Sequence, residues 1–109
     1  VLPDAQCAFL KNELRRCERA WVLVHQQLDP QEDDSHALKN AARVRRILEE
    51  SGKVRHVFQG HYHPGMTQRV GTVTYHTLPA LCEGEMVRYW RIEGAGIGDF
   101  QIREVVDTL

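Results

Sequence analysis

The sequence predicts an α/β domain in which a parallel βαβ unit is followed by antiparallel strands. Two observations lead to this fold class. Before Gly60, amphipathic helical stretches alternate with short continuous apolar runs, and after it only short alternating segments punctuated by glycine remain. With 109 residues, the chain is predicted to form a single domain over residues 1–109. The predicted order is α-β-α-β and then antiparallel strands that extend the same sheet.

The first half of the βαβ unit begins with a helix predicted at residues 4–16. Pro3 suits the start of this helix, and apolar residues then recur near helical spacing. The continuous apolar run Trp21–Val24 predicts a strand buried on both faces. This strand ends abruptly at His25, and the polar stretch 26–35 predicts a loop.

The second helix is predicted at residues 36–51, because its apolar residues form one stripe and Gly52 suits the position after its end. A strand at residues 54–59 completes the unit. The glycine-rich stretch 94–98 lies between two strand segments, so it predicts a hairpin turn rather than a phosphate-binding loop. The remaining strands are predicted near residues 69–70, 73–78, 86–92 and 100–106.

Composition excludes several classes of partner. The chain has 14 Lys and Arg against 15 Asp and Glu, a net charge of -1 that indicates no specific binding to nucleic acid. No apolar run approaches the roughly 18–20 residues that span a bilayer, so no membrane partner is expected. No segment resembles a signal peptide, and the three cysteines form neither a CxxC pair nor an even set. We therefore expect a cytoplasmic location.

Histidines end both strands of the predicted βαβ unit. His25 ends the first strand and His61 ends the second, so the fold brings both to the carboxyl edge of a parallel sheet, where ligands bind. His63 follows two positions later, and alternate residues of an extended segment project to one side. Neutral imidazole is a common metal ligand. The sequence therefore predicts a metal site made of His25, His61 and His63.

Two further histidines, His56 and His76, stand in alternating strand segments and are predicted to be core or interface residues. His36 follows an acidic run at a predicted helix start. A solvated capping segment is the favoured interpretation there, because the acidic neighbours oppose phosphate binding.

The pair Val24-His25 and the later Gly60-His61-Tyr62-His63 resemble the last two sequence blocks of the calcineurin-like metallophosphoesterases. The intervening helix and the tail, with Tyr75–Pro79 and Glu83-Gly84, are also similar to the C-terminal half of that superfamily. The resemblance implies the C-terminal part of a four-layer αββα sandwich. It also implies a dinuclear enzyme with two divalent or trivalent metal ions (Mn, Fe or Zn), in which His25 and His61 ligate one ion and His63 the other.

The reaction implied by the resemblance is hydrolysis of a phosphomonoester, a phosphodiester or a nucleotide diphosphate linkage in a small phosphorylated substrate. The stretch from Gly60 to Gly84 is most similar to manganese-dependent ADP-ribose/CDP-alcohol diphosphatases, which favours a nucleotide substrate. In the family, a bridging hydroxide attacks phosphorus while two cations stabilise the charge. The substrate-binding residues are not assigned.

The chain lacks the earlier blocks of the family, Asp-x-His, Gly-Asp and Gly-Asn-His-Asp/Glu, in their order before the second histidine block. No catalytic residue is therefore assigned in this chain, and three imidazoles alone are expected to bind metal weakly. In addition, Gln27 stands where the family often has proline. The resemblance implies that these residues form the C-terminal portion of a longer enzyme.

Two alternatives remain open at this point. The chain could be a non-catalytic metal-binding or protein-interaction module that retains the fold, or a cysteine/histidine zinc module, although Cys82 sits in no ligand-like pair. In a half-sandwich, the apolar face built from Val22, Val24, Val57 and the tail strands would lack its partner sheet. We therefore expect either the missing N-terminal half or a second chain to pack across that exposed sheet.

Overall fold

The computed structural model describes residues 1–30, 38–60, 65–79, 82–83, 86–96 and 99–108. Its elements alternate as predicted through the first half of the chain and are strands thereafter. The element bounds are α1 Asp4–Arg15, β1 Ala20–Val24, α2 Ala41–Ser51, β2 Val54–Gln59, β3 Met66–Val70, β4 Val73–Thr77, β5 Cys82–Glu83, β6 Met86–Gly96 and β7 Asp99–Thr108.

The main sheet has four strands in the order β1-β2-β4-β3. Strands β1 and β2 pair in parallel across the α2 connection, which confirms the predicted βαβ unit. The predicted antiparallel extension is only partly right, because β4 pairs with β2 in parallel and only β3 is antiparallel. The position of β4 beside β2 follows from the burial of its side chains. Val73 and Tyr75 of β4 are fully buried beside β2, whereas the more polar β3 takes the edge of the sheet.

The last three strands form a second sheet, in the order β5-β6-β7, instead of extending the first. The long strands β6 and β7 pair antiparallel along most of their length, with a register shift between Gly94 and Gly96. The antiparallel pairing of these successive strands agrees with the predicted hairpin, but residues 94–96 of the predicted turn belong to β6, and residues 97–98 lie outside the described residues. A bulge of this kind increases the local twist, which suits a hairpin that folds over another sheet.

Both helices pack on one face of the main sheet and form the hydrophobic core. Val22, Val24 and Val57 point into this core, so the prediction that they form an exposed face is wrong. Alternate strand residues point to opposite sides of a sheet, and these three valines point to the side that the helices cover. Residues buried in the core include Cys7, Leu14, Val44, Leu48, Val54, Val57, Val73 and Tyr75.

The other side of the main sheet, which we call the outer face, carries aromatic residues and contacts the second sheet. The Trp21 ring lies edge-on to Phe100 of β7, with ring centroids 4.9 Å apart. Phe58 stacks on His76 at 4.9 Å, and His76 contacts Trp90 of β6 at 5.9 Å. Aromatic contacts of this type contribute about 0.5–1.5 kcal/mol each beyond their buried area. The hairpin therefore covers part of the face opposite the helices.

Strand β1 is not buried on both faces, contrary to the prediction from its apolar run. Leu23 is 75% exposed, although Trp21 on the same side contacts Phe58 and Phe100. The difference arises because β1 is an edge strand of the main sheet. Trp21 is half-buried and Leu23 is exposed, which shows where the cover of the outer face ends.

Helix α2 is shorter at its start than predicted, since the residues just before it make tertiary contacts instead. The Leu38 amide donates to the Gln27 carbonyl at 3.0 Å, and the Asn40 side chain bonds both backbone groups of Leu2. Gly52 follows the end of α2 as predicted. The interpretation of His36 lies outside the described residues. No helix in the described part of the chain is long and apolar enough to cross a membrane.

His56 and His76 form a pair on the outer face, consistent with the prediction that they are core or interface residues. Nδ1 of His56 lies 3.0 Å from Nε2 of His76, so one ring donates a hydrogen bond to the other. Burial lowers the pKa of His76 to about 4, and the neighbouring His56 adds to this effect. Burial, followed by the charge of Arg55, also lowers the pKa of His56. Both rings are therefore neutral at pH 7.

Stability should fall as the pH is lowered from about 6.5 to about 4. The unfolded chain binds protons at histidine below its ordinary pKa of about 6.5, while native His76 stays neutral down to about pH 4. Roughly 2–3 kcal/mol of unfolding free energy should be lost over this range, measured by urea unfolding. The variant His76→Phe should lose distinctly less between pH 7 and pH 5. An equal pH dependence in both proteins would contradict this account.

Candidate functional site

The carboxyl ends of β1 and β2 lie side by side, as the sequence predicted. Val24 pairs with Gln59 in the last step of the parallel ladder. One residue further, the Gly60 amide donates to the carbonyl of His25 at 3.0 Å. The strand-ending histidine therefore lies directly beside the residue that begins Gly-His-x-His. We call this edge, formed by residues 25–29, 59–60 and 77–78, the rim.

Of the three predicted ligands, the structure describes His25, whose side chain is exposed at the rim. His61 and His63 lie outside the described residues. Within the described ranges, no group of three His, Cys, Asp or Glu side chains is placed to hold a metal ion. The chain enters the segment 61–64 at Gly60, beside His25, and leaves it at Gly65.

Gly60 allows the close approach of the two strand ends. A Cβ atom added at this position would lie 3.2 Å from the His25 carbonyl oxygen and 4.0 Å from its ring Nδ1. The first of these distances is tighter than an ordinary van der Waals contact. Glycine therefore places no Cβ atom of its own beside the carbonyl and the imidazole of His25.

Gly65 anchors the other end of the segment next to β4. Its φ is +81°, in the left-handed region that side chains other than glycine rarely adopt. A Cβ here would also lie 3.2 Å from the Pro79 ring and from the Thr77 carbonyl oxygen. Both attachment points of residues 61–64 are consequently fixed at the rim, one beside β1 and one beside β4.

Within the rim, a buried polar network is centred on Gln59, which is 2% exposed. Its Oε1 accepts a hydrogen bond from the Leu28 amide at 2.9 Å. Its Nε2 donates to Asp29 Oδ1 at 2.5 Å and to Thr77 Oγ1 at 2.8 Å. All hydrogen-bonding groups of this side-chain amide are therefore used, which offsets the cost of burying it.

The same network ties the loop after His25 to further elements. Arg45 of α2 donates to the Leu28 carbonyl at 2.6 Å. On β3, Gln68 donates to Asp29 Oδ2 at 2.9 Å in the amide orientation that satisfies its neighbours. Gln27 is buried, with its Nε2 3.5 Å from Thr77 Oγ1. Thus Gln27, two residues after His25, contributes a polar contact to the loop.

Sequence reasoning did not identify this network. The available signal is Gln59 itself, a polar residue after the apolar pair Val57-Phe58 in a strand predicted to be buried. A polar side chain in such a position needs hydrogen-bond partners nearby. Its partners come from residues 18 and 30 positions away, so spacing along the chain does not reveal them.

A shallow depression of about 400 Å³ opens at the rim, with His25 and Gly60 at its margin. Its other lining is mostly apolar, from Leu23, Phe58 and Leu78. A site of this kind combines a nitrogen ligand or hydrogen-bonding group with apolar surface for a bound organic group. It could therefore receive a small molecule that carries a polar or charged end.

Among the described residues, the titratable groups with clear pKa shifts lie away from the rim surface. Burial raises the pKa of Tyr75 to about 12, so its phenol stays protonated at neutral pH inside the core. His76, with its lowered pKa, belongs to the outer face. Neither group is placed as an acid or base at the exposed edge, where His25 is the described imidazole.

Comparisons with protein families and curated proteins identify no relative of this chain. No model of a known protein family matches the chain, and no curated protein sequence matches it. The sequence motifs and the geometry of the rim are therefore what bear on function.

Replacement of Gly65 by alanine should destabilise the protein by about 1–3 kcal/mol, since the left-handed backbone and the contacts with Pro79 and Thr77 both oppose a Cβ. Gly96→Ala is the matched control, because no atom of the described residues lies within 4 Å of a Cβ there. Urea unfolding of both variants is the measurement. We expect the control to stay within about 0.5 kcal/mol of the parent chain. Equal losses in the two variants would contradict the assigned role of Gly65.

Proposed function

We propose that this chain supplies the C-terminal metal ligands of a metal-dependent phosphoester hydrolase. The observation that carries the proposal is the hydrogen bond from the Gly60 amide to the His25 carbonyl, 3.0 Å long. It sets the strand-ending histidine beside the first residue of Gly60-His61-Tyr62-His63, the arrangement that the motif chemistry requires. In this proposal His25 and His61 hold one metal ion, and His63 holds the other.

Two features of the described residues support this proposal. The His25 imidazole is exposed, and the neighbouring Gly60 presents no side chain that would fill the space beside Nδ1. Imidazole nitrogen suits the candidate ions Mn, Fe and Zn. When bound, a pair of such ions polarises the phosphoryl oxygens and provides a nucleophile at neutral pH.

The protein's own residues have two tasks in this proposal. His25 offers a nitrogen ligand from the end of a paired strand, where backbone hydrogen bonds restrict its position. The apolar lining from Leu23, Phe58 and Leu78 offers contact area to the organic part of a small phosphorylated substrate, including a nucleotide. Position at the end of a rigid strand favours binding because less motion is lost when the ligand is held.

The finer architecture is also part of the proposal. The helices, the main sheet and the β5-β6-β7 sheet follow one another as α, β and β layers. This succession is compatible with the C-terminal part of a four-layer αββα sandwich. The remainder of the second sheet and its helices would then come from the missing N-terminal half or from a second chain. Such a partner would pack against the outer face, next to the exposed Leu23.

A non-catalytic metal-binding or interaction module with the same fold is the alternative. In this alternative the metal ligands are kept without the acidic motifs that supply the bridging carboxylate, and residues 1–59 do not contain those motifs in their order. The two functions share the metal ligands and differ in turnover, so binding and hydrolysis must be measured separately.

Metal binding is the first test. Titration of the full chain with Mn²⁺, followed by the electron paramagnetic resonance signal of the free ion, should show weak binding. We expect His25→Ala to lower the affinity at least about tenfold, because a nitrogen ligand is lost. His56→Phe is the matched control, since it removes a histidine of the outer face, and its affinity should equal that of the parent chain. Absence of Mn²⁺ binding to the parent chain would overturn the proposed site.

Hydrolysis is the second test and uses the longest natural polypeptide that contains these residues. With Mn²⁺ it should hydrolyse bis(p-nitrophenyl) phosphate or a nucleotide diphosphate ester. His25→Ala should reduce kcat/KM at least about 100-fold. Bound metal without turnover on any of these esters would overturn the enzymatic proposal in favour of the non-catalytic module.

A further inference from the structure

We propose that Gln59 is a positioning residue for the rim. Its buried amide fastens the loop that follows His25 to the ends of β2 and β4, and in this way holds His25 beside Gly60. The consequence for metal affinity rests on the proposed function, whereas the consequence for the position of the His25 loop does not.

The geometry of the amide supports this role. Gln59 is the last residue of β2, directly before Gly60, so its backbone is fixed by the sheet. Its Oε1 accepts from the Leu28 amide, and its Nε2 donates to Asp29 Oδ1. Both partners belong to the short stretch that leaves His25. The Gln59 side chain thus connects the end of β2 to the loop that follows His25.

A third bond extends the connection to β4. Gln59 Nε2 donates to Thr77 Oγ1, and the Gln59 carbonyl accepts from the Leu78 amide at 2.9 Å. Leu78 lines the depression at the rim. Three neighbouring chain segments therefore meet at one residue. Gln59 also lines the depression, but its almost fully buried side chain can position the rim without touching a ligand.

The polar character of the site is informative. Asp29 and Gln59 are both almost fully buried, at 1% and 2% exposure. Buried polar groups do not by themselves guarantee stability, since apolar residues of similar volume often serve as well. Hydrogen bonds, in contrast with apolar packing, are directional and fix one arrangement of the groups that they join. A geometric role at the rim therefore accounts for these residue types.

An exchange of donor and acceptor tests the role directly. Gln59→Glu replaces the donor to Asp29 by a carboxylate and sets two carboxylates against each other. Asp29→Asn alone sets two amides together. The double variant Gln59→Glu/Asp29→Asn restores one carboxylate and one amide, with their places exchanged. Rescue in the double variant is therefore specific to this contact.

Hydrogen exchange of the Gly60 amide is the readout of the His25 position, because that amide is bonded to the His25 carbonyl. In Gln59→Glu the amide should exchange roughly fivefold to tenfold faster than in the parent chain, beyond any change at the Val57 amide of the same strand. In the double variant it should return to within about twofold of the parent rate. Mn²⁺ affinity should fall and recover in parallel.

Val44→Ala is the matched control for lost stability, since it truncates a buried core residue of α2 away from the network. It should change exchange at Gly60 and Val57 alike and leave Mn²⁺ affinity unaltered. If Gln59→Glu behaves like this control, or if the double variant restores nothing, the positioning role is overturned. A parent chain that does not bind Mn²⁺ overturns the proposed function, and the exchange rates at Gly60 then still decide the role of Gln59.

Discussion

The parallel pairing of β1 with β2 is the constraint on which the rest of the structure depends. Its register sets Val24 opposite Gln59, and thereby His25 beside Gly60. A parallel pair of this kind needs a crossover, which α2 provides, and the helix in turn covers the inner face of both strands. A shift of one residue would turn each side chain of β1 to the opposite face of the sheet. Core and rim are therefore specified by the same register.

Two kinds of packing stabilise the two faces of the main sheet. The inner face is aliphatic and buried by the helices, as Val57 and Leu48 show. The outer face is aromatic and includes the neutral histidine pair. The indole N–H and the imidazole nitrogens can still form hydrogen bonds, so a face that contains these rings tolerates partial cover better than an aliphatic face does. The position of Leu23, exposed at the edge, marks the limit of that cover.

Local patterns in the sequence predicted the helices, the strands of the βαβ unit and the rim, because apolar periodicity and strand ends are properties of short segments. The face to which Val22 and Val24 point could not be predicted from their own run, since an apolar run alone does not show which side a helix covers. The parallel placement of β4 depends on its fit beside β2, and the bonds of Gln59 join residues far apart in sequence. These features depend on tertiary contacts. The prediction was wrong for the face and for β4, and it did not include the bonds of Gln59.

The outer face also determines which part of the molecule tryptophan fluorescence reports on. The chain has two tryptophans, and both contact the same cluster: Trp21 touches Phe58 and Phe100, and Trp90 touches His76. The emission of both indoles therefore reads the junction between the two sheets. Separation of the hairpin from the main sheet would move both into water and shift their spectrum to longer wavelength. Intrinsic fluorescence therefore reports on the packing of the two sheets against each other.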